Sequence, residues 1–367
     1  MTGFVFRCSS CEAEHEPGPD ALRCRDSGAP LSVDYGPDGP VQRSRSGSPL
    51  PLGQPESMIS LGEGDTPVVE LERLSSDLGL GSLVAKLESS NPTGSFKDRG
   101  TAVMVSALAE QGVEGIVEDS SGNAGASVAA YAARAGMRAH VFVPDSAPEG
   151  KVSQIKVFGA RVHRIPGPRE RAAEAALKLV AETDLAYASH NMSPFFIEGT
   201  KSCAYEMIGQ LGGRLPEHVV VPVGNGSLFI AFHLALTELS GETGACYLPR
   251  LHAVQSAAVM PIVAARSGQE WTPKPTASTV AGGIASAAPP RMGQIMRALA
   301  DSGGSALAVG DDDILRWREL LARREGIFAE PTSAAAFAGL ERLVQRGEIG
   351  SGDRVLVPVT GAGLKDP

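Results

Sequence analysis

Three things are scarce in this chain of 367 residues, and each scarcity closes off a class of protein. Cysteine occurs five times, three of them within the first 24 residues. An odd, clustered set is not the framework of a disulfide-stapled secreted domain, so a reducing compartment is expected. Basic charge is in deficit, the formal net charge being -9. A nucleic-acid partner would need the opposite balance, because phosphate backbones are held by basic surfaces. Long apolar runs are missing as well. The longest, such as "VVVPV" at 219–223, are strand-sized and fall far short of the roughly 18 residues that span a bilayer. The start, "MTGFVFRCSSCEAEHE", has no basic stretch, apolar core or small-residue cleavage site of a secretory leader. Together these absences predict a cytoplasmic protein with neither nucleic acid nor membrane as partner.

What is present divides unevenly. At about 150 residues per domain the length predicts two or three domains. Residues 1–60 are polar, cysteine-bearing and then rich in Pro, Gly and Ser, which reads as a small module followed by a linking arm. From about residue 83 a new rhythm begins. "LVAKLE", "GIVEDSS", "RAHVFVP" and "ARVHRIPG" read as strands, and the segments between them carry helical apolar spacing that stops at Gly112, Gly136 and Gly159. The alternation resumes with the apolar strand "HVVVPV" and ends with "RVLVPVTGAG"; residues 260–305 read as less regular. Strand, turn and helix in repetition predict parallel sheets covered by helices, an α/β class.

Four turns carry residues suited to chemistry. "NPTGSFKDRG" places Lys97 where a strand gives way to a helix N-terminus, an electropositive position that favours the neutral, nucleophilic amine. Alone, that lysine would read as a solvated surface charge. "SSGNAGAS" at 120–127 offers hydroxyls, an amide and free N–H groups at another helix start, which is equally the description of an ordinary capped turn. "PVGNGS" at 222–227 allows the backbone to approach a phosphate. It is neither a Walker loop nor a G-x-G-x-x-G fingerprint, since the Lys-Ser/Thr pair and the third glycine are missing. "PVTGAG" at 358–363 closes the last strand. All four read as carboxyl ends of parallel strands, where ligands of such sheets gather at one crevice. An amine, a phosphate cradle and partners for a ring oxygen and nitrogen are what pyridoxal phosphate needs.

On these motifs, joined by "GIFAEPTSAA" and "TGAGLKD", the sequence resembles the fold type II pyridoxal-phosphate enzymes, in particular their threonine synthase-like branch, over residues 60–367. The resemblance implies a two-domain, three-layer αβα fold of the tryptophan synthase β kind. It implies a large cofactor-binding domain from 61–98 plus 196–367, a small α/β domain at 99–195, and a homodimer. It implies a lyase that eliminates or replaces at the β or γ carbon of an amino acid, with pyridoxal 5'-phosphate carried as a Schiff base on Lys97. By the same resemblance Asn123 holds the phenolic oxygen, Gly224, Asn225, Gly226 and Ser227 bind the phosphate, Thr360 faces the pyridine nitrogen, and Phe96 packs on the ring or simply in the core. Ser120, Ser121, Gly122 and Ala124 would bind the substrate carboxylate, and Glu330 would touch substrate or cofactor edge, or only favour a helix start.

Two departures stand out. Threonine synthases typically carry an arginine for the substrate phosphate in a segment that here reads "SPFFIEGTKS", and Phe196 occupies its place. Lys201 is a possible substitute or a surface residue, and Arg291 stands in a different setting. The departure favours a non-phosphorylated or unusual amino acid, as for a serine/threonine dehydratase or a replacement enzyme. A non-catalytic binding relative is a third reading, against which the intact turns argue. At the N-terminus, Cys8-x-x-Cys11 and Cys24-x-x-Ser27 resemble a degenerate zinc ribbon. Serine is a poor zinc ligand and the spacing of His15 from Cys11 is not a ribbon's, so the expectation is a metal-free segment with Cys8, Cys11 and Cys24 as weak candidates.

Overall fold

A computed structural model describes residues 3–366 apart from 38, 55, 57, 168, 244–247 and 274–277. In chain order the first elements are β1 (Val5–Cys8), β2 (Glu14–His15), β3 (Leu31–Asp34), β4 (Val68–Glu70), α1 (Glu72–Leu78) and β5 (Ser82–Lys86). Then come α2 (Lys97–Glu110), β6 (Gly115–Glu118), α3 (Asn123–Ala135), β7 (Arg138–Pro144), α4 (Glu149–Val157), β8 (Arg161–Ile165), α5 (Arg169–Glu182) and β9 (Ala186–Tyr187). The long helix α6 (Pro194–Gln210) leads to β10 (His218–Pro222), α7 (Ser227–Thr243), β11 (Arg250–Ser256) and α8 (Pro261–Arg266). The chain closes with α9 (Met292–Ser302), β12 (Ala306–Val309), α10 (Asp311–Glu325), α11 (Pro331–Gln345) and β13 (Arg354–Pro358).

These elements form two compact units, residues 1–64 with 91–202 and residues 65–90 with 203–367. The first unit holds two sheets. One is antiparallel, in the order β2-β1-β3; the other is the all-parallel β8-β7-β6-β9. Its largest apolar cluster runs from Phe6 and Leu31 through Val105 and Tyr131 to Phe195 and Phe196. The Pro/Gly/Ser-rich arm is part of that packing and does more than link. Leu50 and Leu52 are buried there, Gly53 and Gln54 donate backbone N–H groups to the Glu110 carboxylate at 2.9 Å each, and Ile59 N–H donates to Ser106 Oγ at 2.8 Å.

The second unit is built on a six-stranded sheet in the order β12-β11-β10-β13-β5-β4, parallel except for the edge strand β4. β10 lies near its middle and is buried along its whole length, as its unbroken apolar run predicts for a strand covered on both faces. Leu83, Val220, Val254, Phe337 and Val357 meet in the unit's core. The stretch read as less regular carries two helices, α8 and α9. Proline at the first position of α8 is compatible with a helix start because that N–H has no intrahelical acceptor. The four turns are divided between two sheets: β5, β10 and β13 are in the six-stranded sheet, and β6 is in the four-stranded one. Strand alternation reports that sheets are parallel but not how many there are.

Candidate functional site

In the first unit Lys97 is the opening residue of α2. The loop before it is shaped by Asp98, a buried carboxylate that accepts both the Thr93 N–H and the Thr93 hydroxyl at 2.6 Å. This closes the turn around Gly94, whose φ of 81° is a left-handed conformation. The Lys97 ammonium nitrogen sits 4.5 Å from the Phe96 ring centroid and 5.4 Å from that of Phe196. Both rings are buried. Phe196 reaches that place because α2 and α6 cross nearly backbone to backbone. A Cβ on Gly100 would lie 2.6 Å from the Phe196 carbonyl oxygen, and one on Gly199 would lie 2.4 Å from that of Arg99. Neither helix therefore tolerates a side chain at the crossing.

The second turn follows β6. Ser120 Oγ accepts the Gly122 N–H at 3.2 Å, Gly122 caps α3, and Asn123 and Ala124 begin the helix. The first-turn N–H groups of a helix have no intrahelical acceptor, so Ser121, Gly122 and Ala124 lie where an anion is favoured. Immediately upstream is a pair that the sequence reading did not single out. Glu118, at the end of β6, is fully buried, and its Oε1 lies 2.9 Å from His190 Nδ1. Burial pushes the Glu118 carboxyl up to about 7, against smaller lowering effects from the His190 N–H, Lys97 and Arg169. Burial likewise holds His190 well below its ordinary value, so its imidazole is neutral. Neighbouring Asp119 is also raised, by burial and by Glu118, and accepts the Tyr187 hydroxyl at 3.0 Å. Nothing in the sequence links residues 118 and 190. Only the parallel pairing of β6 with β9 brings the segment after β9 beside the end of β6.

This pair makes a pH prediction. A carboxyl whose folded value is raised binds its proton more tightly folded than unfolded. Its stabilising contribution is full below about 4.5 and is lost as pH rises through about 7. Glu118→Gln stays neutral at every pH and so removes the pH dependence. The variant's melting temperature is therefore expected to rise relative to that of wild type as pH goes from about 5 to about 8. Parallel melting profiles across that range would refute it.

In the second unit the turn after β10 leads into α7 at Ser227. Gly224 is pressed against a neighbouring segment, where a Cβ would come within 2.9 Å of Ile284 Cα and 3.0 Å of the Gly283 carbonyl oxygen. Gly226 has φ of 86°. Asn225 is fixed by the Ser286 hydroxyl, which donates to its Oδ1 at 2.6 Å. The result is a cradle of bare backbone leading to a helix N-terminus, which fits a phosphate group. At the end of β13 the buried Thr360 hydroxyl donates to Glu330 Oε1 at 2.9 Å and lies 2.9 Å from Ser333 Oγ. Glu330 is thus hydrogen-bonded to Thr360 and also precedes the first turn of α11. Ser333 is a further member of this group, absent from the sequence reading.

The residues weighed as phosphate ligands are otherwise engaged. Lys201 is no surface residue: it is buried and paired with Glu198 at 2.7 Å, while the Tyr35 hydroxyl donates to the same carboxylate at 2.8 Å. Arg291 is buried in the second unit and donates to Gln294 Oε1 at 2.7 Å. Cys8, Cys11 and Cys24 lie together in the first unit, their sulfurs all within 4.8 Å of one another. Among the described residues no helix is long and apolar enough to cross a membrane.

The residue types at these turns agree with comparison to known proteins. The chain is 37% identical over 321 residues to threonine synthase of Methanocaldococcus jannaschii, covering 87% of this chain and 79% of that protein. It is 36% identical over 319 residues to threonine synthase of Halalkalibacterium halodurans, covering 87% of each. Among solved structures, a threonine deaminase from T.th. superposes with a TM-score of 0.69 at 25% identity, covering 81% of this chain and 92% of that one. O-ureido-L-serine synthase shares the fold, with a TM-score of 0.70 at 24% identity over 82% of this chain and 90% of that one. The family model for pyridoxal-phosphate dependent enzymes matches residues 59–361, so the chain belongs to that family and pyridoxal 5'-phosphate is its cofactor.

Proposed function

We propose that this protein is a threonine synthase-like lyase that eliminates or replaces a β or γ substituent of an amino acid, working as a cytoplasmic homodimer. The observation that carries the reading is Lys97 at the first residue of α2, lined by the Phe96 and Phe196 rings, in a chain so similar to threonine synthases. Lys97 carries the cofactor as a Schiff base. Gly224, Asn225, Gly226 and Ser227 receive its phosphate, Asn123 its phenolic oxygen, and Thr360 its ring nitrogen. Bound pyridoxal phosphate supplies the electron sink for loss of the α-proton and departure of the leaving group. The Lys97 amine would be the base for that proton. Ser120, Ser121, Gly122 and Ala124 orient the substrate carboxylate with hydroxyl and N–H groups. A hydroxyl at Thr360, in place of a carboxylate, would leave the ring nitrogen largely unprotonated. That suits β and γ chemistry.

A second reading has its own observation. Phe196 stands buried beside Lys97 where an arginine would recognise a substrate phosphate, and the nearby Lys201 is tied to Glu198. This favours a non-phosphorylated amino acid and dehydratase or replacement chemistry. The two separate in one assay on the holoenzyme. Phosphate released from O-phosphohomoserine, with threonine formed, supports the first. A 2-oxo acid formed from serine or threonine without turnover of the phosphorylated substrate supports the second. A purified protein that binds no pyridoxal phosphate sinks both.

A further inference from the structure

The geometry points to a structural zinc site in the first unit, made by the thiolates of Cys8, Cys11 and Cys24 with the Ser27 hydroxyl at the fourth corner. The two halves of the site are built alike. In the first, Cys8 N–H donates to the Ala13 carbonyl at 2.9 Å, and Cys8 Sγ accepts the N–H groups of Ser10 and Cys11 at 3.3 and 3.4 Å. In the second, sixteen residues on, Cys24 N–H donates to the Ala29 carbonyl at 2.8 Å, and Cys24 Sγ accepts the Ser27 N–H at 3.5 Å. Each half then turns through a left-handed residue in the same place: Glu12 with φ of 61° and Gly28 with φ of 71°. Glycine adopts that conformation freely, whereas a glutamate does so at a steric cost. The first turn therefore takes a shape that its own sequence disfavours, and it is the shape that points Cys8 and Cys11 at one spot.

By this correspondence Ser27 occupies in the second half the place of Cys11 in the first. Its Oγ lies 3.2 Å from Cys8 Sγ, and Cys11 Sγ lies 3.6 Å from Cys24 Sγ. Ligands at about 2.3 Å from a tetrahedral zinc stand about 3.8 Å apart, so these separations are close to those the ion requires. The N–H groups aimed at both sulfurs favour thiolate over thiol. His15 approaches through the pairing of β2 with β1, which sets it opposite Phe6 and brings its Nε2 to 3.3 Å from Cys24 Sγ. It serves as an outer partner of that thiolate. A disulfide would use two sulfurs and strand the third, two of the three being buried.

The site would do structural work close to Lys97. The strand that ends in Cys8 packs Phe6 edge-on against Phe195, ring centroids 5.1 Å apart, and the residue after Phe195 is the phenylalanine beside the lysine. Metal here pins the module that seats the first turn of α6. Binding displaces the thiol protons and needs no other reactant.

The test is elemental analysis of the full chain, purified without chelator or metal-affinity resin, with zinc and pyridoxal phosphate measured on the same sample. About one zinc per chain is expected, falling at least about tenfold in Cys11→Ser with cofactor content unchanged. Cys11 is the exposed member, so this variant keeps the buried sulfurs in place. Ser27→Cys supplies a second measurement that does not depend on losing metal. It should keep one zinc and release it to a chromogenic chelator at least about tenfold more slowly than wild type. The proposal is overturned if wild type holds less than about a tenth of an equivalent after incubation with zinc and desalting, or if Cys11→Ser leaves the zinc unchanged. A Cys11–Cys24 disulfide in the purified protein, read by mass spectrometry, overturns it too. An unaltered release rate in Ser27→Cys overturns the place of Ser27.

Discussion

Lys97→Ala is expected to lose turnover roughly 10³-fold or more, and to lose covalent attachment of its cofactor altogether. Both effects follow from one side chain with two duties. In the proposed function the amine bonds the cofactor aldehyde and then serves as base for the α-proton, a role that alone contributes roughly 10²–10⁴ in rate. The fold should survive the change. Lys97 opens α2, alanine is the strongest helix former, and the loop is shaped by Asp98 through Thr93. Borohydride reduction of the wild-type holoenzyme, followed by peptide mapping, should place the label on residue 97, and the variant should carry none. Label retained on another lysine of the variant would sink the assignment, and so would turnover within tenfold of wild type.

The site was legible in the sequence to the extent that its parts were contiguous. "NPTGSFKDRG", "SSGNAGAS" and "VPVGNGS" each fold as a turn at the start of a helix, because glycine, proline and small polar residues leave few other local solutions. The alternation of strand and helix forecast parallel sheets for the same reason. What remained hidden depends on long-range pairing. Glu118 and His190 are 72 residues apart and meet only because β6 pairs with β9. Ser333 joins Thr360 and Glu330 only when α11 packs beside the end of β13. Lys201 reads from sequence as a phosphate ligand or a surface residue, since its partner Glu198 is one helical turn away on a helix whose burial no periodicity announces. The placing of residues 120–127 in a domain apart from the other turns came from the family resemblance, not from the residues themselves. The chain passes from one unit to the other after Gly64, Ser90 and Ser202, and no composition change marks the last two.

Lys86→Met is expected to destabilise the second unit by about 3–5 kcal/mol. Lys86 ends β5 with its ammonium fully buried. It pairs with the Glu206 carboxylate and donates to the Thr66 carbonyl at 2.6 Å and to Gln210 Oε1 at 2.7 Å. Methionine fills the space but leaves the buried Glu206 carboxyl, which also accepts the Asp65 N–H at 2.9 Å, without its ammonium partner. Breaking one side of such a pair costs far more than removing both, so Lys86→Met combined with Glu206→Met should recover most of the loss. Thermal unfolding of the four proteins, each loaded with cofactor, measures this. Additive losses would show that the two groups do not act as a pair. The consequence reaches the site through the backbone. The Lys86 carbonyl accepts the Val359 N–H at 2.8 Å, and the Ser89 N–H donates to the Val359 carbonyl at 3.0 Å, which fixes the end of β13 one residue before Thr360. A lysine that touches no substrate thus sets where the hydroxyl proposed to face the ring nitrogen stands. The single variant should bind pyridoxal phosphate more weakly, and the double variant should restore that binding along with its stability.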